Sequence, residues 1–100
     1  MGEKRMMRIV GGKRYDTDKA QLLAKGVYFD GGANAPGRDM CLYRTPNGRY
    51  FTVSWSIWQD VRDVLTPVTE EEARALYEGP LRLHSASYEE AFPDIEIEDA

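Results

Sequence analysis

The fold is decided by residues 40–57, which read MCLYRTPNGRYFTVSWSI. After the Pro-Asn-Gly turn, apolar side chains alternate strictly with hydroxyl-bearing ones. A period of two places the apolar side chains on one face of a strand and the hydroxyls on the other. Since Asn-Gly supplies turn chemistry, the stretch predicts an antiparallel hairpin in which residues 40–45 pair with residues 49–57. The alternating apolar residues are Phe51, Val53, Trp55 and Ile57.

A second hairpin is predicted upstream of this stretch. Residues 6–10 and 13–15 flank Gly11 and Gly12. Two glycines accept the positive φ angles that a two-residue hairpin turn requires. The sequence therefore contains two hairpins, one on each side of residues 16–39.

Helix-capping patterns predict the remaining regular structure. A capping box places a hydroxyl residue three positions before a glutamate, and this spacing occurs at Thr69 and again at Ser87. Residues 58–65 fit either a helix or a strand, Pro67 is expected to end that segment, and residues 81–83 fit a short strand. The expected helices are residues 18–25, capped by Asp16 or Thr17 and ended by Gly26; residues 70–78; and a single turn before Pro93.

These elements predict an α+β fold: a small antiparallel sheet of two hairpins, with two or three short helices packed on its apolar face. One hundred residues form one domain and leave no room for two. We assign residues 1–93 to that domain. Residues 94–100 alternate isoleucine with acids and are expected to form either an acidic C-terminal tail or an edge strand.

Composition excludes several classes of protein. An apolar content of 42% with eleven aromatic residues excludes an obligately disordered chain. No run approaches the ~18 apolar residues of a membrane span, and glycines and cations interrupt the start where a signal peptide would be apolar. The single cysteine forms no internal disulfide and fits a reducing compartment. We expect a cytoplasmic protein with no membrane contact.

Charge is distributed unequally along the chain. Residues 1–50 carry ten Lys or Arg and five Asp or Glu, whereas residues 51–100 carry three Arg and twelve Asp or Glu. The formal net charge of -4 therefore combines +5 in the first half with -9 in the second. The acidic end either folds back on the basic start or faces solvent, and even full internal neutralisation leaves an acidic excess.

Catalytic and metal-binding patterns are not found. Cys41 and His84 are the only cysteine and histidine, and a thiol inside a predicted strand usually packs as a small apolar group. Four Cys or His ligands for zinc are lacking, and no EF-hand spacing supports a carboxylate site around Asp30 and Asp39. The glycine-rich residues 31–37 lack the Lys-Ser/Thr of a phosphate loop. We expect a protein that is not an enzyme and has no cofactor or metal.

Three segments carry a resemblance to a known group of proteins. They are GKRYDT at residues 12–17, LYRTPNGRYF at residues 42–51 and TEEEA at residues 69–73. In this order they resemble short bacterial and mobile-element proteins of uncharacterised function, although residues 54–65 lack the glycine-rich stretch of that group. The resemblance implies a compact α+β unit and a mobile-element origin. Small acidic proteins of phage-like elements often inhibit host nucleic-acid machinery, anti-CRISPR proteins among them.

Two functional hypotheses follow. In the first, the chain is a non-enzymatic protein-binding module, an anti-CRISPR-like inhibitor whose acidic second half binds a partner protein with a basic surface. Its candidate contacts are Glu70, Glu71, Glu78, Glu89, Glu90, Asp94, Glu96 and Glu98. In the alternative, the chain is a small nucleic-acid-binding accessory protein that uses its basic hairpin turns. The candidate contacts are then Lys13, Arg14, Arg44 and Arg49. An exposed edge strand would also allow a homodimer.

Overall fold

The computed structural model describes residues 5–29, 37–55 and 64–100. Strands and two short helices follow one another in these ranges, and the α+β class is confirmed, with more strands than the sequence predicts. The elements are β1 (Met7–Val10), β2 (Lys13–Asp16), β3 (Gln21–Phe29), β4 (Gly37–Arg44), β5 (Tyr50–Trp55), β6 (Val64–Val68), α1 (Glu70–Glu78), β7 (Leu83–His84) and α2 (Tyr88–Ala91).

The described strands form two antiparallel sheets. Five of them pair in the order β6-β5-β4-β3-β7, and β1 pairs with β2 in a separate two-stranded sheet. The predicted central hairpin is confirmed as β4 and β5 as far as Trp55, and residues 56 and 57 of that prediction lie outside the described ranges. Its turn is closed by the Thr45 N–H donating to the Arg49 carbonyl at 2.7 Å. The predicted first hairpin is confirmed too, and its turn glycines have φ of 60° at Gly11 and 78° at Gly12.

The predicted helix at residues 18–25 is wrong, because these residues lead into and form part of β3. A two-turn helix has little stability of its own, whereas β3 pairs with β4 along its length. The register shifts between Leu22 and Ala24, so that Leu23 and Ala24 are both fully buried. The expected cap residues serve turns instead: the Asp16 carboxylate accepts the Asp18 N–H at 2.9 Å, and the Thr17 hydroxyl accepts the Met6 N–H at 3.0 Å.

The expectation that Pro67 ends the ambiguous segment is also wrong. Pro67 lies inside β6, opposite Phe51 of β5. A proline is tolerated there because β6 is an edge strand, on which an N–H is not needed on the outer side. The Arg8 guanidinium donates to the Leu65 carbonyl at 3.0 Å and so covers part of this edge. Of the segment that fits helix or strand, residues 58–63 lie outside the described ranges.

The five-stranded sheet is covered on both faces. Both helices pack on the same face of this sheet, as expected. The expectation that they cover the alternating apolar residues of β5 is wrong, because those residues point to the opposite face. Phe51 and Val53 lie in a core cluster with Tyr15, beneath the β1–β2 hairpin. Tyr50 lies in the other cluster, with Ala73 and Tyr77 of α1. Since the hydroxyl-bearing side of β5 is covered by a second layer, Thr52 and Ser54 are buried.

Both predicted capping boxes are confirmed. The Thr69 hydroxyl accepts the Glu72 N–H at 3.1 Å, while the Glu72 carboxylate accepts the Thr69 N–H at 2.9 Å. Ser87 and Glu90 form the same reciprocal pair at the start of α2. The helix predicted over residues 70–78 is confirmed as α1, which ends at Glu78 with Gly79 as its C-cap. Residues 94–100 contain no strand.

We expect Thr69→Ala to lower the free energy of unfolding by about 1 kcal/mol, because the hydroxyl that satisfies an otherwise unpaired helix N–H is lost. Thr69→Ser keeps that oxygen and should stay near the wild-type value. Urea unfolding followed by far-UV circular dichroism measures both variants. Equal losses in the two variants would show that the cap contributes nothing.

Candidate functional site

The two helices and the C-terminal residues form one layer on the sheet, which we call the helical layer (residues 69–100 without β7). Its inner side is apolar: Ala73 of α1, Ala91 of α2 and the adjacent Phe92 are fully buried, and Ile95 packs against the same core. The Tyr50 hydroxyl of β5 donates to the Ala91 carbonyl at 2.7 Å and ties α2 to the sheet. The outer side is therefore held on a rigid base.

The outer side of the helical layer is acidic. Residues 69–100 contain ten Asp or Glu and two Arg, a formal net charge of -8. The structure places every predicted acidic contact on this layer, and each of them is exposed. They are Glu70, Glu71 and Glu78 of α1, Glu89 and Glu90 of α2, and Asp94, Glu96 and Glu98 after it.

None of these carboxylates forms an ion pair within the part of the chain that the structure describes, although Glu70 and Glu78 lie near enough to a cation, Arg74, to interact with it electrostatically. The one ion pair within residues 5–29, 37–55 and 64–100 joins Arg5 to Asp18 at 3.6 Å, outside the helical layer. Some acids of the layer make hydrogen bonds instead: Glu90 caps α2, and Glu78 accepts the Tyr88 hydroxyl at 2.8 Å. Hydrogen bonds orient a carboxylate without removing its charge, so the layer keeps its negative field.

A groove lies between α1 and the C-terminal residues, with a volume of about 570 Å³. Its polar base is fixed, because the Arg74 Nε donates at 3.0 Å to the Tyr88 hydroxyl, which in turn donates to Glu78. The groove combines acidic and apolar groups, and Ile97 is 55% exposed there. Its lining residues are Arg74, Glu78, Tyr88, Ile95, Glu96, Ile97 and Glu98.

Four groove residues were not among the predicted contacts: Arg74, Tyr88, Ile95 and Ile97. The alternation of isoleucine with acids after Asp94 is the signal that could have identified Ile97. Nothing local indicates that Tyr88 lies beside Arg74, because the two helices that carry them meet only in the folded chain. The Tyr88 hydrogen bond, more than any other contact, raises the pKa of Arg74 above its ordinary value.

The acids of the helical layer also act on buried tyrosines. Burial raises the pKa of Tyr77 above its ordinary value, and the carboxylates of Glu89 and Glu90 raise it further. Burial likewise raises the pKa of Tyr50, while the nearby Arg44 opposes that shift. The field of the acidic surface therefore reaches the core beneath it.

The predicted nucleic-acid contacts do not all lie together. Lys13, Arg14 and Arg49 line one cleft of about 400 Å³ between the β1–β2 turn and the β4–β5 turn, and Lys19 lines it with them. Arg44 lies on the other face of the sheet, because it pairs across the strands with Tyr50, whose side chain packs in the core beneath the helices. Lys19 is the member of this cluster that the sequence analysis missed.

The only cysteine and the only histidine lie on opposite faces of the sheet. Cys41 is buried in the core under the β1–β2 hairpin. His84 stacks on Tyr77 with ring centroids 3.8 Å apart, and its Nε2 lies 2.8 Å from the Tyr77 carbonyl oxygen. The two side chains are therefore not paired as nucleophile and base.

The described residues provide neither a metal cluster nor a membrane span. Within 5–29, 37–55 and 64–100, no group of three or more Cys, His, Asp or Glu is arranged to hold a metal ion. Asp39 is on β4, and Asp30 lies outside these ranges. No helix of this part of the chain is long and apolar enough to cross a bilayer.

The sheet separates two surfaces of opposite charge. The helical layer carries the acids on one side, and the basic cleft is on the side of the β1–β2 hairpin. Comparisons of the chain with protein-family models, with curated proteins and with solved structures gave no match.

Proposed function

We propose that the chain is a non-enzymatic protein-binding module whose helical layer binds a basic surface of a partner protein. The observation that carries the proposal is the placement of eight predicted acids on one layer, exposed and without an ion pair in the described ranges. Carboxylates in this state attract a basic partner over a distance of about one Debye length, roughly 8–10 Å.

The groove between α1 and the C-terminal residues gives the layer a site for close contact. Charge alone steers an encounter but adds little net affinity at a solvated rim. Ile95 and Ile97 offer apolar area that a partner can bury, and Glu96 and Glu98 stand beside them. A partner segment with cations flanking an apolar side chain matches this arrangement.

The partner class that fits best is a nucleic-acid-binding protein, because its basic groove is already shaped for a row of negative charges. The chain would occupy that groove and exclude the nucleic acid. The resemblance to mobile-element proteins supports this anti-CRISPR-like form of inhibition. It requires no catalytic group, in keeping with the separation of Cys41 from His84.

Charge reversal tests the proposal. We choose Glu71, Glu89, Glu96 and Glu98, since no hydrogen bond or ion pair within the described ranges holds any of them, and replace each with lysine. The immobilised wild-type chain should retain specific basic proteins from a host lysate treated with nuclease, identified by mass spectrometry. Affinity of the variant for each should fall about 100-fold or more, because like charges then face each other.

The matched comparison keeps the charge change equal. Glu98→Lys and Asp18→Lys each replace one exposed carboxylate with lysine and add two units of positive charge, but only Glu98 lies on the helical layer. Asp18→Lys also removes the exposed pair with Arg5, which contributes little to stability, so this variant should fold and retain the partner. Undiminished capture by the quadruple variant, or equal losses in the two single variants, would end the proposal.

Competition tests the narrower class of partner. Titrating double-stranded DNA into the complex with an identified partner should release the chain if both occupy the same basic groove. Release that leaves the partner bound to DNA supports inhibition by exclusion. A ternary complex of chain, partner and DNA would overturn this class and leave protein binding in place.

A further inference from the structure

The cleft between the two hairpin turns concentrates positive charge in an otherwise acidic protein. Lys13 and Arg14 of β2, Lys19 after it and Arg49 before β5 all line the cleft. Among the described residues that line the cleft, Asp16 is the only carboxylate, so their formal charge is +3. All four cations come from the basic first half of the chain, and the cleft brings four of its ten Lys and Arg residues to one place.

Within the ranges that the structure describes, the side chains of these four cations take part in no ion pair and no hydrogen bond. The ion pair of those ranges involves Arg5, and no hydrogen bond is donated there by the side chain of Lys13, Arg14, Lys19 or Arg49. All four are exposed. Cations that neither pair nor pack are available to an anion from solution.

Both walls of the cleft are fixed by local hydrogen bonds. In one wall, the buried Thr45 hydroxyl accepts the Arg49 N–H at 3.0 Å, and the Gly48 N–H donates to the Thr45 carbonyl at 2.9 Å. In the other, the Asp16 carboxylate accepts the Asp18 N–H, and the Lys19 N–H donates to the Asp16 carbonyl at 3.1 Å. The backbone of both walls is therefore ordered before a ligand enters, so the entropy lost on binding is mainly that of the lysine and arginine side chains.

The size and lining of the cleft select the ligand. A volume of about 400 Å³ lies within the range of small-molecule sites, roughly 300–1,000 Å³. Two arginines and two lysines suit phosphate oxygens, which accept several charge-assisted hydrogen bonds at once. Four cations match a short run of phosphates rather than the many phosphates that a duplex presents.

We propose that this cleft binds a compact phosphate-bearing ligand, with Lys13, Arg14, Lys19 and Arg49 as the groups that hold its phosphates. The site is independent of the helical layer, which lies on the other side of the sheet. Asn47 and Pro46, which line the same cleft, would contact the non-phosphate part of the ligand. The proposed site differs from the predicted nucleic-acid contacts in one residue: it contains Lys19 and not Arg44.

The experiment uses the full chain and inorganic tripolyphosphate as the probe. ¹H–¹⁵N spectra recorded at low salt should show saturable shifts confined to residues 11–19 and 45–49. Affinity should fall as salt is raised, because bound phosphates release counterions. Lys13→Gln/Arg49→Gln should weaken binding by about tenfold or more, since two charge-assisted contacts are lost.

Arg82→Gln is the matched control for Arg49→Gln. Each removes one exposed arginine, but Arg82 is outside the cleft, so only Arg49→Gln should weaken binding. Shifts spread over the whole surface, no saturation at low salt, or equal losses in these two variants would overturn the site. Unchanged tripolyphosphate affinity in Lys13→Gln/Arg49→Gln would overturn it as well.

Two further titrations identify the source of the phosphates. ATP represents a free nucleotide, and a 12-nucleotide oligothymidylate represents a single-stranded nucleic acid. Tighter binding of ATP, lost in the double variant, assigns the cleft to free phosphorylated molecules. Tighter binding of the oligothymidylate, lost in the same variant, assigns it to the nucleic-acid backbone.

Discussion

Phe92→Ala should lower the free energy of unfolding by about 3–5 kcal/mol, the usual cost of removing a buried phenylalanine. Phe92 is fully buried at the join between α2 and the C-terminal residues. Its ring centroid lies 5.1 Å from that of Tyr88, 5.3 Å from that of Tyr50 and 5.7 Å from that of Tyr77. Truncation leaves a cavity among three rings that are also held by hydrogen bonds and cannot easily close it.

Urea unfolding followed by tyrosine and tryptophan fluorescence measures this loss. Leu83→Ala is the control, because Leu83 is exposed and its truncation should cost no more than about 0.5 kcal/mol. The damage should be greatest in the helical layer, so amide exchange at residues 88–95 should accelerate more than exchange in β4 and β5. A loss below 1 kcal/mol would show that the packing of α2 on the sheet is not as described.

Gly26→Ala should lower the free energy of unfolding by about 1–3 kcal/mol through overpacking. A Cβ at this position would lie 2.7 Å from the Pro80 carbonyl oxygen and 3.0 Å from the Leu81 Cα. Both contacts are with backbone, so no change of rotamer relieves them. The chain between α1 and β7 must move away from β3, and Leu81 must leave its fully buried position.

Val27→Ala is the matched control in the next strand position. Val27 is partly exposed, so its truncation should cost less than the added methyl group at Gly26. Thermal unfolding by circular dichroism compares the two, and a crystal structure of Gly26→Ala should show residues 79–82 displaced. Wild-type stability in Gly26→Ala would mean that this approach of the two segments is looser than the distances indicate.

The hairpin turns and the two helices with capping boxes were predicted correctly from the sequence, whereas the single cap candidates Asp16 and Thr17 led to a helix that does not form. Gly11 and Gly12 specify their turn through positive φ angles, and the capping boxes at Thr69 and Ser87 specify their helices through side-chain hydrogen bonds within four residues. Strand β3 has no such signal. Its buried residues Leu23 and Ala24 are adjacent because of a bulge, which breaks the period of two and imitates one face of a short helix.

The sequence predicts the acidic surface better than it predicts the cation cluster. The acids could be identified by counting, because an excess of -9 in one half of the chain must leave exposed carboxylates. The cation cluster could not be identified by counting, because strand register and packing decide which cations lie together. The pairing of Arg44 with Tyr50 turns Arg44 to the helical side, and only the packing of the first hairpin on the sheet brings Lys19 beside Arg49.

The separation of charge across the sheet makes the molecule a permanent electric dipole. A net charge of -4 describes its behaviour only far from other molecules. At shorter range, the electric field of a neighbouring molecule exerts a torque on this dipole and rotates the protein before any atoms touch. A positively charged body therefore meets the face that carries α1 and α2 first, and a negatively charged one meets the end that carries the two hairpin loops.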